Sequence, residues 1–298
     1  MWLLLSLISS FFLGLYDVSK KSAVTGNAVF PVLFLSTLAG TLCTLPILLL
    51  SFWNPDLAKS LHLHVPHLPP AIHGYIIAKS LVVGTSWVLS YFGLKHLPIT
   101  IASPLRATAP LFTVLGAVVL FAERPTGSQW TGIVLILCSY LFYSLSSSKN
   151  STSGVSVVWI VFMILAAVTG AASAGFDKYL LQKMALPPRF VLCWFLLYLS
   201  IIYGIIALIF WYPRRKHSTP FVFRPSIPLV GVLLVTADIL YMTALSDPQA
   251  KLALVSSIRR SNVLISFIAG ALLFHEGNIR EKIIPFAGII AGLMLIML

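Results

Sequence analysis

Charged residues are scarce in this chain. Asp, Glu, Lys and Arg together make up 9% of its 298 residues, whereas a soluble globular domain carries about 25%. Hydrophobic residues account for 58%, so the composition excludes a water-soluble fold. At about 20 residues per membrane span, ten apolar spans leave no room for a separate aqueous domain.

Cysteine is also rare. Cys43, Cys138 and Cys193 are an odd number, lie inside separate apolar runs and show no C-x-x-C spacing, so disulfides and cysteine metal sites are unsupported. The formal net charge is +12, but the basic residues are scattered between apolar runs and form no continuous face. We therefore expect no nucleic-acid partner.

Long apolar runs fill most of the chain. Polar or Pro- and Gly-containing breaks separate them, and they fall at 2–22, 28–53, 72–94, 98–121, 126–146, 155–182, 189–212, 226–246, 249–274 and 281–298. Period-2 alternation is absent, and a lipid-facing backbone must satisfy its own hydrogen bonds. The sequence predicts an all-α integral membrane protein with ten transmembrane helices.

The two halves of the chain resemble each other. Phe121-Ala122-Glu123 recurs as Phe274-His275-Glu276 at an offset of 153 positions, and the same offset relates Ser103 to Ser256 and Arg106 to Arg259. Near the start of each half an aromatic residue precedes an aspartate, Asp17 and then Asp177, at an offset of 160. Because five helices are an odd number, the second copy enters the membrane from the opposite face. We predict two inverted repeats, 1–148 and 149–298.

Ten helices in two five-helix repeats resemble the EamA-type transporters of the drug/metabolite transporter superfamily. An acid at the ends of the fourth and ninth runs and a basic residue after the first run add to this likeness, which covers nearly the whole chain. The resemblance implies a bundle around a central cavity that opens to one side at a time, with a small organic solute as cargo. Two departures, the pairs Lys20-Lys21 and Arg259-Arg260, argue against a hydrophobic drug.

Ionisable side chains inside a membrane span are functional candidates, because they are costly unless they face a cavity or a partner. Four cations qualify, namely Lys79, Arg106, Arg259 and Arg260. Asp238 is the clear central anion, so we expect an electropositive interior that accepts a carboxylate or phosphate. Asp238 is either a proton site that couples transport to the proton gradient or the counter-ion of an arginine.

Other polar and aromatic residues complete the candidate site. Asp17, Lys20 and Lys21 share a helix face. Either they form a local ion pair near the lipid headgroups, or Lys20 and Lys21 form a vestibule that attracts anions. Asp177 needs a partner on another helix, for which Arg106 or Arg259 are candidates. The remaining candidates for solute binding are Tyr16, Trp87, Tyr91, Tyr241, Ser256 and Asn262.

Glu123 and Glu276 lie directly before the fifth and tenth runs. An acid in this position satisfies the free backbone donors at the start of a helix, so we expect each to cap the helix that follows it.

The favoured function is a secondary transporter for a small anionic or zwitterionic metabolite, such as an amino acid, an organic acid or a phosphorylated metabolite. It would work by alternating access, around a site between the first, third, fourth, sixth, eighth and ninth runs. No G-x-x-x-x-G-K motif for ATP is present, so a gradient or exchange would supply the energy.

Two alternatives remain open: a lipid-head-group flippase of the same fold, and an intramembrane enzyme acting on a phosphorylated lipid. The enzyme is disfavoured because the sequence contains neither G-x-S-x-G nor H-E-x-x-H. We expect no catalytic residue, no metal and no cofactor. The expected partners are a small-molecule substrate and membrane lipid, in a monomer or a homodimer, and the expected location is the bacterial inner membrane.

Overall fold

The computed structural model describes residues 1–97, 105, 108–146, 157–265 and 279–297. All the regular elements in these ranges are helices. They are α1 (Trp2–Val24), α2 (Val29–Trp53), α3 (Pro55–Ser60), α4 (Pro70–His96), α5 (Ala109–Phe121), α6 (Gly127–Ser146), α7 (Val157–Lys178), α8 (Pro188–Ile206), α9 (Ser226–Leu245), α10 (Leu252–Arg259) and α11 (Ile279–Met297).

Most helices begin and end within a few residues of the boundaries of the predicted apolar runs. A π-helical turn, Tyr179–Lys183, extends α7, and another, Ala207–Trp211, extends α8. The short helix α3 was not predicted; Pro55 begins it, and the side chain of Asn54 accepts a hydrogen bond from the backbone N–H of Leu57, a favourable start for a helix.

Six helices among the described residues are long and apolar enough to cross a membrane. They are α1, α2, α4, α7 and α8 with their π turns, and α9. Shorter apolar helices at Ala109–Phe121, Gly127–Phe142 and Ile284–Met297 accompany them. The all-helical class is therefore as predicted, whereas ten complete spans exceed what these helix lengths establish.

Contacts between sequence-distant helices fix their directions. α1 runs antiparallel to α9, because Ser9 donates to the carbonyl of Ala237 while Arg224 donates to the carbonyls of Ser22 and Thr25. In the same way α4 runs antiparallel to α7, because Ser86 donates to the carbonyl of Ala166 while Lys79, earlier in α4, pairs with Asp177, later in α7. The end of the bundle at which α1 begins is called the amino-terminal end below.

The core is densest around α8. Phe190, Leu196, Leu199 and Tyr203 are all fully buried there, and α8 packs against α2, α4 and α9. The Tyr203 hydroxyl donates to the carbonyl of Gly84 at 3.3 Å, which satisfies this buried polar group. This scaffold holds the inner faces of α4 and α9 in place.

One structural prediction is wrong: Glu123 does not cap α6. A reciprocal pair caps that helix, in which the Thr126 N–H donates to the Gln129 side chain and the Gln129 N–H donates to the Thr126 hydroxyl. Glu123 instead accepts hydrogen bonds from the backbone of Leu252 and Ala253 at the start of α10. Because Thr126 and Gln129 already cap α6, the Glu123 carboxylate caps α10, a helix from the other half of the chain. Glu276 lies outside the described residues.

Candidate functional site

A cavity of about 330 Å³ lies in the middle of the helix bundle. Residues of α1, α4, α5, α7, α9 and α10 form most of its wall, with Tyr140 of α6 and Phe195 of α8 completing it. These six helices correspond to the six runs between which the sequence analysis placed the site. The volume is at the small end of the range for ligand pockets.

Most of the predicted site residues line this cavity. They are Tyr16, Asp17, Lys20, Lys79, Trp87, Asp177, Asp238, Tyr241, Ser256, Arg259, Arg260 and Asn262. Tyr91 is buried and contacts the site through Lys20, whose ammonium lies 4.7 Å from the centre of the Tyr91 ring. Arg106 and the side chain of Lys21 lie outside the described residues.

Two ion pairs cross between helices at the cavity wall. Lys79 Nζ of α4 lies 3.0 Å from Asp177 Oδ1 of α7, and the Lys79 side chain is only 2% exposed. Arg259 Nη2 of α10 lies 3.0 Å from Asp238 Oδ1 of α9. Such pairs compensate the cost of placing each charge away from water.

Among the described residues, Asp177 pairs with a cation that the sequence analysis did not name as its partner. The sequence analysis suggested Arg106 or Arg259, but the ion pair in the structure is with Lys79. The reason is packing: α4 lies directly against α7 along its length, so Lys79 is the cation within reach. Asp238, by contrast, is the counter-ion of an arginine, which is one of its two predicted roles.

Aromatic rings hold the same cations from another side. Lys79 Nζ lies 3.6 Å from the centre of the Phe195 ring, and the Arg259 guanidinium lies 4.1 Å from that of Tyr241. Lys20 lies between the rings of Tyr16 and Tyr91. Cation–π contacts of this kind orient a cation without neutralising it, so a solute anion can still be attracted.

The polar side chains of α10 connect to α1. Asn262, just beyond α10, donates to Asp17 Oδ2 at 2.6 Å, and the Ser261 and Ser10 hydroxyls are 2.9 Å apart. Gly14 permits this approach, because a side chain there would lie 2.8 Å from the carbonyl oxygen of Asn262. Asp17 and Lys20 thus belong to the cavity wall.

Several lining residues were not predicted as site residues. Ser86, Ser90, Thr113, Tyr140, Ser173 and Phe195 all line the cavity. Hydroxyl residues in otherwise apolar helices are a signal that sequence reasoning can use, because they favour protein- or water-facing positions over lipid. Phe195 carries no such signal, since phenylalanine is abundant throughout the chain.

The charged lining of the described cavity carries a small positive excess. Lys20, Lys79, Arg259 and Arg260 face Asp17, Asp177 and Asp238. With both ion pairs formed, the cavity offers guanidinium and ammonium donors, carboxylate acceptors and aromatic surfaces in one place. This set can bind a solute that carries an anionic group and, in a zwitterion, a cationic one.

The model of the EamA-like transporter family matches residues 1–145. This segment contains α1 to α6 and the cavity residues from Leu13 to Tyr140. Residues 1–145 are therefore similar to the EamA-like transporter family. The resemblance predicted from sequence is confirmed over this range.

The fold of the whole chain resembles that of one solved structure. A solved structure described only as "Crystal structure of protein" is 16% identical, with a TM-score of 0.70, and the match covers 99% of this chain and 94% of that one. At this identity the likeness concerns the fold. No curated protein matches.

The EamA-like family and the six long apolar helices together identify a multi-pass integral membrane protein. The family whose model matches residues 1–145 is one of transporters.

Proposed function

We propose that this EamA-like protein is a secondary carrier that moves a small anionic or zwitterionic organic metabolite across the membrane by alternating access. The observation that carries the proposal is the central cavity, whose cations and carboxylates come from both halves of the chain. A site between two bundles can be exposed to either side when one bundle rocks against the other.

The helix contacts support ten spans in two inverted repeats, 1–148 and 149–298. In this arrangement α1, α2, α4, α5 and α6 of the first half correspond, in that order, to α7, α8, α9, α10 and α11 of the second half. If each helix is replaced by its counterpart, the contact of α1 with α9 becomes the contact of α7 with α4, which is also present. Likewise α5 with α7 becomes α10 with α1, and α2 with α9 becomes α8 with α4. The contacts α2 with α8, α5 with α10 and α6 with α11 map onto themselves.

An anionic group on the solute fits the cations of this wall. Arg259 uses one guanidinium nitrogen for Asp238, and a guanidinium carries five N–H donors in a fork that suits carboxylate or phosphate. Lys79 and Arg260 extend the cationic surface, and Trp87, Tyr16 and Tyr241 offer rings on which a planar solute would stack.

A thermal-shift screen of the purified chain with amino acids, organic acids, sugar phosphates and nucleotides tests the substrate class. Arg259→Gln should weaken binding of the stabilising anion by about 10- to 100-fold, because a charge-assisted hydrogen bond is lost. Arg215→Gln is the matched control, since Arg215 is exposed and packs on Tyr212 outside the cavity. Stabilisation by neutral or cationic solutes alone would contradict the proposal.

Transport into proteoliposomes then distinguishes the two roles of Asp238. As the counter-ion of Arg259, Asp238→Asn should change the affinity for the solute but leave the pH dependence of uptake intact. Loss of the pH dependence would instead identify Asp238 as the proton site.

The flippase alternative has its own outcome in the same vesicles. Movement of a fluorescent phospholipid between leaflets that requires Arg259, without uptake of any soluble metabolite, would replace the carrier proposal.

A further inference from the structure

Glu123 occupies an unusual position at the amino-terminal end of the bundle. It is 7% exposed and follows Ala122, which ends α5 in the left-handed conformation with a φ of 51°. A residue with a side chain disfavours this conformation by about 1 to 2 kcal/mol. The turn directs the Glu123 carboxylate into the bundle instead of toward α6.

The carboxylate binds the start of α10. The Leu252 N–H donates to Glu123 Oε1 at 2.5 Å, and the Ala253 N–H donates to Oε2 at 2.9 Å. These amides have no partner within their own helix, and the helix dipole favours an anion there. α10 leads from this point to Ser256 and Arg259 in the cavity wall.

The same carboxylate forms an ion pair with Lys178, the last residue of α7. The Glu123 and Lys178 side chains are 3% and 9% exposed, so water does not screen the pair. Lys178 directly follows Asp177, which lines the cavity and holds Lys79. Glu123 therefore connects α5, α7 and α10 at one buried point, on the side of the cavity that faces the amino-terminal end of the bundle.

Two further side chains reinforce this junction. Gln182 donates to the carbonyl of Leu245, the last residue of α9, and to those of Asp247 and Ala250 in the loop that leads into α10. Lys251 donates to the carbonyl of Arg124 and to the side chain of Gln129. The connection between α5 and α6 is thus fixed to the connection between α9 and α10, which belongs to the other half of the chain.

We propose that Glu123 is a latch that closes the cavity at the amino-terminal end, and that opening this end requires Glu123 to release both Lys178 and the start of α10. The inference rests on the proposed alternating access and adds the residue that gates one side. Separation of α5 from α7 and α10 breaks a buried ion pair and two charge-assisted hydrogen bonds together, so these contacts hold the closed state cooperatively.

A cysteine reporter in the cavity tests the latch without knowledge of the substrate. In a background in which Cys43, Cys138 and Cys193 are replaced by alanine, Ser173→Cys places a thiol on the cavity wall. Its reaction with a membrane-impermeant maleimide is measured from each side of sealed vesicles. Ser60→Cys, exposed on α3, marks which side is the amino-terminal one.

Glu123→Gln should raise the labelling rate from the amino-terminal side at least about tenfold, because the ion pair and the charged cap are both weakened. Lys178→Gln keeps the cap and loses the ion pair, so it should give a smaller rise. It also serves as the second variant if Glu123→Gln does not fold. Asp247→Asn is the matched control at the same end, since among the described residues its carboxylate accepts a local hydrogen bond from the Gln249 N–H and joins no other helix.

Labelling from this side at the wild-type rate in both Glu123→Gln and Lys178→Gln would overturn the latch and leave the carrier proposal standing. A Ser173→Cys reporter that reacts from neither side in any variant would overturn the carrier proposal as well.

Discussion

The buried charges that the structure describes have partners on different helices. Lys79 has Asp177, Arg259 has Asp238, and Glu123 has Lys178 together with two backbone amides. An unpaired ion in a membrane helix is costly, and the pairs reduce this cost while keeping charge at the cavity. The residue types were recognisable from sequence because they interrupt apolar runs, but their pairing was not.

Removal of one partner from a buried pair should cost more than removal of both. Lys79→Met leaves Asp177 as an uncompensated buried charge, and we expect a loss of about 3 to 5 kcal/mol in the free energy of unfolding. The double variant Lys79→Met, Asp177→Asn should recover most of this loss. Unfolding of the purified variants in detergent measures both.

The exposed pair Lys59 and Asp56 provides the matched control for this cycle. Its atoms lie 3.4 Å apart, but the side chains are 59% and 92% exposed, so Lys59→Met should change stability little. If Lys59→Met and Lys79→Met lowered the free energy of unfolding equally, burial of the Lys79–Asp177 pair would not increase its contribution to stability.

At the scale of whole helices, small residues decide how closely two elements pack. Gly132 of α6 and Gly292 of α11 lie at the point where these helices cross, and a side chain on Gly132 would lie 2.7 Å from the carbonyl oxygen of Gly292. Within lipid the hydrophobic effect does not drive two helices together. Close van der Waals packing at these glycines therefore contributes much of the stability of the contact between α6 and α11.

Gly132→Ala should therefore force α6 away from α11. We expect a loss of about 1 to 3 kcal/mol in the free energy of unfolding, as for other overpacked sites. Gly116→Ala in α5 is the control, because a side chain there meets nothing within 4 Å. A thermal-unfolding temperature for Gly132→Ala equal to that of Gly116→Ala would contradict this role.

Across the whole molecule, the contacts place the start of α1 and the end of α11 at the amino-terminal end of the bundle. The latch holds the start of α10 there, and Lys251 bonds to Gln129 in the first turn of α6. The end of α11 packs beside this part of α6, where a side chain on Gly132 would lie 2.8 Å from Ile296. α1 begins at the same end, because it is antiparallel to α9.

Tags on the two termini should consequently be cleaved by a protease from the same side of sealed vesicles. This is the arrangement that an even number of membrane crossings produces, and it agrees with the proposed ten. Cleavage of the two tags from opposite sides would require an odd number of crossings and would rule out two complete five-helix repeats.

The sequence by itself determined the class of this protein, because apolar runs of span length with so few charges admit only a helical membrane fold. Internal offsets and the rare intramembrane charges also marked candidate site residues, most of which the structure places around one cavity. Residue types and their spacing along a single helix were sufficient for these steps.

Only the tertiary structure decided which of these residues meet. The pairing of Lys79 with Asp177, in place of Arg259, depends on α4 lying against α7. The binding of Glu123 to α10, in place of α6, depends on a left-handed turn at Ala122 and on contact between the two halves of the chain. Such contacts join helices that are far apart in sequence. The rotation of each helix and the angle at which two helices cross decide which side chains meet, and the spacing of residues along one helix does not encode either of them.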